Sequence, residues 1–111
     1  MTDEPSHDLL GLRDALRNFA LQRDWDQFHT PRNLATSICI ESAELLEQFQ
    51  WTDRSSDELT PTEMTAIRHE LADVLLYIIR LADRLGIDPV AAAYEKIAIN
   101  ASKYPVDKAR S

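Results

Sequence analysis

Three times in 111 residues a small capping side chain is followed at once by proline: Thr30-Pro31, Thr60-Pro61 and Asp88-Pro89. A hydroxyl or carboxylate can accept from the backbone N–H groups that a first helical turn leaves free. Proline is tolerated at the first helical position because its missing N–H would find no partner there. Each pair therefore reads as a helix start. Glu63 stands three residues after Thr60 and completes a capping box. Two glycines and five prolines are too few for the turns of a many-stranded β protein. The chain is built from helices with marked beginnings.

Leu9, Leu12, Leu16, Phe19 and Ala20 recur at helical spacing, which predicts a first helix from about Ser6 to Arg23. The second opens at Pro31 and continues to about Gln50. The third runs from Pro61 to about Leu85 and stops at Gly86; the fourth runs from Pro89 to about Lys103, before Tyr104-Pro105. "WTDRSSDEL", between the second and third, reads as a polar loop, and the ends, about 1–6 and 106–111, read as frayed. The expected architecture is all-α, a four-helix bundle-like protomer in one domain over 1–111.

On the third helix Leu71, Val74, Ile78, Leu81 and Leu85 form one stripe, while Leu76 and Ile79 fall roughly 100° or more away around the wheel. A helix apolar on two sides is buried on two sides. In so short a chain a second copy is the expected cover, so an oligomer is expected. The lone Cys39 lies in the apolar run Ile38-Cys39-Ile40 and reads as a small buried hydrophobe. No basic N-terminal region precedes an apolar stretch and no run approaches a membrane span, so the expectation is a cytoplasmic protein without a membrane partner. The formal charge of −7 argues against a nucleic-acid polymer as partner, because phosphate binding calls for Lys and Arg surfaces. A small phosphorylated ligand remains compatible, since a bound cation can invert the local field.

Acidic residues interrupt this apolar pattern. On the second helix Leu34, Ile38, Leu45 and Phe49 define a face, and Glu41 falls on it, with Glu44 about 60° to one side. Residues three apart are neighbours on a helix, so these two carboxylates can converge. Glu70 and Asp73 repeat the spacing at the margin of the third helix's stripe. If the two helices pack, four carboxylates meet, which a cation or protonation must relieve. An oxygen-only donor set selects a hard cation, Mg²⁺ or Mn²⁺. A diiron site would need Glu-x-x-His on paired helices, and a zinc site Cys and His; neither pattern is present. Acidic pairs at this spacing are also common on solvated faces, and for either pair alone that reading stays open. Glu47, three residues beyond Glu44, suits a supporting ligand, a base or a solvated residue. Lys96, Asn100 and Lys103, at i, i+4 and i+7, share one face of the fourth helix, and Lys96, Lys103 and Arg32 could contact phosphate.

Glu41-x-x-Glu44 followed a helix later by Glu70-x-x-Asp73 resembles the MazG-like all-α nucleoside triphosphate pyrophosphohydrolases. "RDWDQFHTPRNLA", "ESAELLEQFQW", "HELADVLLYIIRLADRLGID" and "KIAINASKYP" look like the dCTP pyrophosphatase group within it, over roughly residues 9 to 105. The broader family often opens its first motif with a double Glu, and Ile40 stands where the first would be. The dCTP-like branch also lacks that Glu, so the departure supports the branch assignment.

The resemblance implies Mg²⁺-dependent hydrolysis of a nucleoside triphosphate, dCTP or a modified dCTP, to the monophosphate and pyrophosphate. It implies nucleotide-pool housecleaning, and a homodimer or a homotetramer built as a dimer of dimers, with sites completed across an interface. Glu41, Glu44, Glu70 and Asp73 would hold the metal, and Glu44 or Glu47 could take the proton of the attacking water. His29, Trp51 and Tyr77 would form the base pocket with Asn100 as a polar contact; Lys96, Lys103 and Tyr104 would complete substrate binding. For Trp25 and Phe28 a core role stands beside the pocket role. The alternatives are a non-catalytic helical module that binds nucleotide or protein, and a related pyrophosphohydrolase with another nucleotide substrate.

Overall fold

A computed structural model describes residues 8–51 and 56–109. They form α1 (Leu9–Gln22), α2 (Pro31–Glu47), a short 3-10 turn (Ser56–Glu58), α3 (Pro61–Leu85), α4 (Pro89–Lys103) and a final helical turn, α5 (Val106–Ala109), with no strand among them. The four long helices are those expected. Of the loop read between α2 and α3, residues 52–55 lie outside the described residues, as do 1–7 and 110–111.

The caps explain the boundaries. Thr30 Oγ1 accepts from the Asn33 N–H at 3.2 Å. Thr60 Oγ1 accepts from the Glu63 N–H at 3.1 Å, and Glu63 Oε1 accepts in return from the Thr60 N–H at 3.0 Å, the full capping box. Asp88 Oδ1 accepts from Val90 and Ala91 at 3.0 and 3.1 Å. The first helix opens on Asp8, whose Oδ1 accepts from the Gly11 N–H at 2.8 Å, rather than near Ser6. Gly86 closes α3 in the left-handed region, with φ 70°. A Cβ there would meet no atom within 4 Å, so Gly86→Ala carries only the backbone cost, about 1 kcal/mol. Denaturant unfolding should register that loss with an unchanged slope.

α3 is the spine, packed along α2 and, less extensively, α1. Leu34 and Ile79 are the largest fully buried side chains among the described residues, at 1% and 2% exposure, and Ala20, Ile67 and Ala82 are buried as well. α4 leaves the spine after Gly86, and its Val90, Tyr94, Ile97 and Ile99 are exposed.

Three sequence expectations need correction. α2 ends at Glu47, not Gln50: the Gln48 and Phe49 N–H groups reach back to Leu45 and Leu46, tightening the chain into turns. Cys39 is exposed, as is Ile40, because the apolar run crosses the helix rather than following its buried face. On α3 the side turned inward carries Ile79, and the other apolar stripe, with Leu71, Ile78 and Leu85, is exposed in the single chain. Residues 106–109 form a helical turn rather than a frayed end.

Candidate metal centre and adjoining pocket

Packing α2 against α3 brings the two acidic spacings face to face. Carboxylate oxygens of Glu41, Glu44 and Glu70 all lie within 4.8 Å of one another. Asp73, one turn along α3, stands close enough for its charge to act on both Glu41 and Glu70. The residues are only half-buried as wholes, yet Glu41 Oε2 and Glu70 Oε2 are covered and have no hydrogen-bond partner among the described residues. A covered carboxylate oxygen without a donor is costly.

That cost appears in the protonation equilibria. Glu41 is pushed up to about 7, first by hydrogen bonding with Glu44, then by burial and by the charges of Glu44, Asp73 and Glu70. Glu70 is raised chiefly by burial and then by the charges of Glu44 and Asp73. Three converging oxygen donors, two with an orphaned oxygen, fit a hard divalent cation, and among the described residues no Cys or His joins them.

A pocket of about 140 Å³ is lined by Asp73, whose charge also reaches this cluster. Tyr77 and Arg80 follow Asp73 at i+4 and i+7, so all three line the same face of α3. Opposite them stand Phe19, Trp25 and His29. The wall is aromatic: Phe19 and Trp25 meet edge to face at 5.5 Å, and the Trp25 and His29 rings lie 5.9 Å apart. Such a slot, apolar with a few polar groups, is the form of a small-ligand site.

The loop between α1 and α2 carries two of these walls and is tied down at several points. The Trp25 N–H bonds to the Ala20 carbonyl at 2.9 Å, and the His29 N–H to the Trp25 carbonyl at 3.1 Å. Asn33 Nδ2 donates to the Phe28 carbonyl at 3.0 Å, and Arg84 Nε to the His29 carbonyl at 3.2 Å.

The remaining candidates lie apart from this pocket. Glu47 is exposed at the end of α2, outside the trio of converging carboxylates. Trp51 is 89% exposed beyond α2 and does not line the slot. Arg32 is exposed in the first turn of α2; Lys96, Asn100, Lys103 and Tyr104 are exposed on and after α4, with Lys103 Nζ 5.4 Å from the Tyr104 ring centre. None of them lines the pocket or belongs to the three converging carboxylates.

Sequence reasoning missed Arg80. The only signal was a single arginine inside the run Tyr77-Ile78-Ile79-Arg80-Leu81, where a charge needs buried partners. A larger open cavity of about 690 Å³, bordered by Leu9, Arg13, Arg17, Asp83 and Val90, contains none of the four paired carboxylates. Its Arg17 Nε is already bonded to Asp83 at 3.0 Å.

A family model described as MazG-like matches residues 36–111. Human dCTP pyrophosphatase 1 is 40% identical over 110 residues, covering 96% of this chain and 65% of its own. The mouse protein of the same name is 39% identical over 109 residues, covering 96% and 64%. The chain thus spans just under two thirds of the length of these curated relatives. A solved structure of a pyrophosphatase from Archaeoglobus fulgidus superposes with a TM-score of 0.81 at 44% identity, covering 95% of this chain and 99% of that one.

Proposed function

The chain belongs to the MazG-like family, in its dCTP pyrophosphatase-like branch, and from that premise we propose that it hydrolyses a (deoxy)nucleoside triphosphate to the monophosphate and pyrophosphate with Mg²⁺. dCTP or a modified dCTP is the favoured substrate, and the role is cytoplasmic nucleotide-pool housecleaning by a single all-α domain. The observation that carries this reading is Asp73: one residue borders both the converging carboxylates and the aromatic slot. A ligand with its base in the slot would have its phosphates beside the carboxylates.

Glu41, Glu44, Glu70 and Asp73 would hold Mg²⁺, with Mn²⁺ as a substitute. The bound metal supplies charge neutralisation on the triphosphate and lowers the barrier to attack by water. The chain's own residues do the rest. The four side chains, fixed on two packed helices, set where the phosphates lie. A free carboxylate oxygen of Glu44 or Glu47 accepts the proton of the attacking water. His29 and Tyr77 hold the base.

The remaining residues act from a second copy. The exposed Leu71, Ile78 and Leu85 of α3 and Val90, Tyr94 and Ile97 of α4 favour a homodimer or a homotetramer built as a dimer of dimers. In that assembly Lys96, Asn100, Lys103 and Tyr104, with Trp51, complete the substrate site across the interface, and Arg32 adds a phosphate contact. No helix of the described residues is long and apolar enough to cross a membrane, and the charge of −7 disfavours a nucleic-acid polymer as partner.

The test is a product-resolved assay over standard and modified deoxynucleotides, with and without Mg²⁺. Monophosphate and pyrophosphate in equal amounts, with cytosine nucleotides preferred, are expected. Thermal stabilisation by Mg²⁺ and nucleotide without turnover would replace the enzyme with a binding module. Trp51→Ala should raise KM for the preferred nucleotide by about tenfold, the scale of one lost base-stacking contact. Its melting temperature should hardly move, because the ring is exposed; an unchanged KM removes Trp51 from the site.

A further inference from the structure

Arg80 is charged, sits on the apolar spine and is 4% exposed. Each of its three guanidinium nitrogens faces a partner. Nη2 pairs with Asp26, and Nη1 lies 3.5 Å from Asp83 Oδ2. Nε donates to His29 Nδ1 at 3.0 Å. Asp83 in turn is held by Arg17 from α1, which steadies the network from its far side. A charge enclosed this deeply needs such partners, and the three come from the α1–α2 loop and α3 itself.

The bond to His29 has a chemical consequence. A guanidinium nitrogen is a donor in every state. The ring nitrogen that receives its hydrogen must therefore be the unprotonated one, which leaves the imidazole hydrogen on Nε2. Burial and the positive charge of Arg80 also lower the His29 pKa, which favours the neutral ring. We infer that Arg80 is a positioning residue that locks His29 in the Nε2–H tautomer, making the pocket wall a hydrogen-bond donor that selects bases carrying a carbonyl oxygen. This rests on the reading of the slot as the base pocket. Cytosine and other pyrimidines have such an oxygen; adenine has none. Adenine offers only ring nitrogens, set elsewhere on its edge, so it meets this donor less well.

The experiment begins without nucleotide. A long-range ¹H–¹⁵N spectrum of the wild-type imidazoles should show His29 with Nδ1 as the bare nitrogen and Nε2 protonated. Protonated Nδ1, or averaging between the tautomers, would overturn the assignment. Arg80→Lys keeps a positive charge beside Asp26 and Asp83 but loses the planar fork. In it His29 should average between tautomers. KM for dCTP should then rise about tenfold with kcat within about twofold, and the preference for dCTP over dATP should fall about tenfold. A merely structural arginine would instead lower the amount of folded enzyme and leave KM and the preference untouched. An unaltered KM and preference in a variant that has lost the fixed tautomer overturns the selecting role. A wild type that hydrolyses neither nucleotide overturns the nucleotide reading together with base selection, and the nucleotide-free spectrum still decides separately what Arg80 does to His29.

Discussion

Glu44→Gln should lose Mg²⁺-dependent pyrophosphate release by on the order of a thousandfold, the scale of the several kcal/mol a bound metal contributes to a charged transition state. The substitution keeps the shape of the side chain but removes one of three carboxylates whose oxygens lie within 4.8 Å of one another. It also removes the main cause of the raised Glu41 pKa, the hydrogen bond with Glu44. The protein should therefore retain its helical circular dichroism and lose no stability in the absence of metal. Asp73→Asn should behave likewise, since Asp73 serves both the cluster and the slot. Full activity in either variant would remove that residue from the metal site.

Glu41→Gln should reverse its stability relative to wild type according to pH and metal. In the metal-free protein Glu41 is raised from 4.5 to about 7. The folded state then holds a proton that the unfolded chain has already released, so the contribution of Glu41 to stability falls as pH rises through that window. His29, lowered by burial and by Arg80, works in the opposite sense near its ordinary value of 6.5. The comparison with Glu41→Gln isolates the carboxylate. Without Mg²⁺ the variant should gain on wild type from about pH 5 upward and be the more stable at about pH 8. With saturating Mg²⁺ at the higher pH the order should invert, because the ionised carboxylates of the wild type bind the cation that the folded state alone can assemble. Thermal melts of both proteins at the two pH values, with and without Mg²⁺, read this directly. Parallel curves with no inversion would mean that Glu41 neither titrates in this window nor binds the metal.

The parts legible in the sequence are those written in local chemistry. Thr30, Thr60 and Asp88 with their prolines mark three helix starts because caps act within one turn. Glu41, Glu44, Glu70 and Asp73 could be paired because i, i+3 spacing is fixed by helix geometry alone. What packs against what is a different matter. Cys39 looked buried by its apolar neighbours, yet burial depends on which face meets α3. Leu71, Ile78 and Leu85 share one apolar stripe and Ile79 lies on another, and periodicity alone does not say that α1 and α2 cover the side bearing Ile79. The Arg80–His29 bond joins residues 51 positions apart, and no local pattern encodes such a pairing. A solitary arginine among apolar residues announces only that partners must exist.

Crystals soaked in Mn²⁺ test the carboxylate site most directly, through anomalous scattering. The expected result is a peak between α2 and α3, about 2.1 Å from oxygens of Glu41, Glu44, Glu70 and Asp73, that disappears in Glu44→Gln. No peak there at saturating Mn²⁺, or one held by other residues while the protein still releases pyrophosphate, would contradict it.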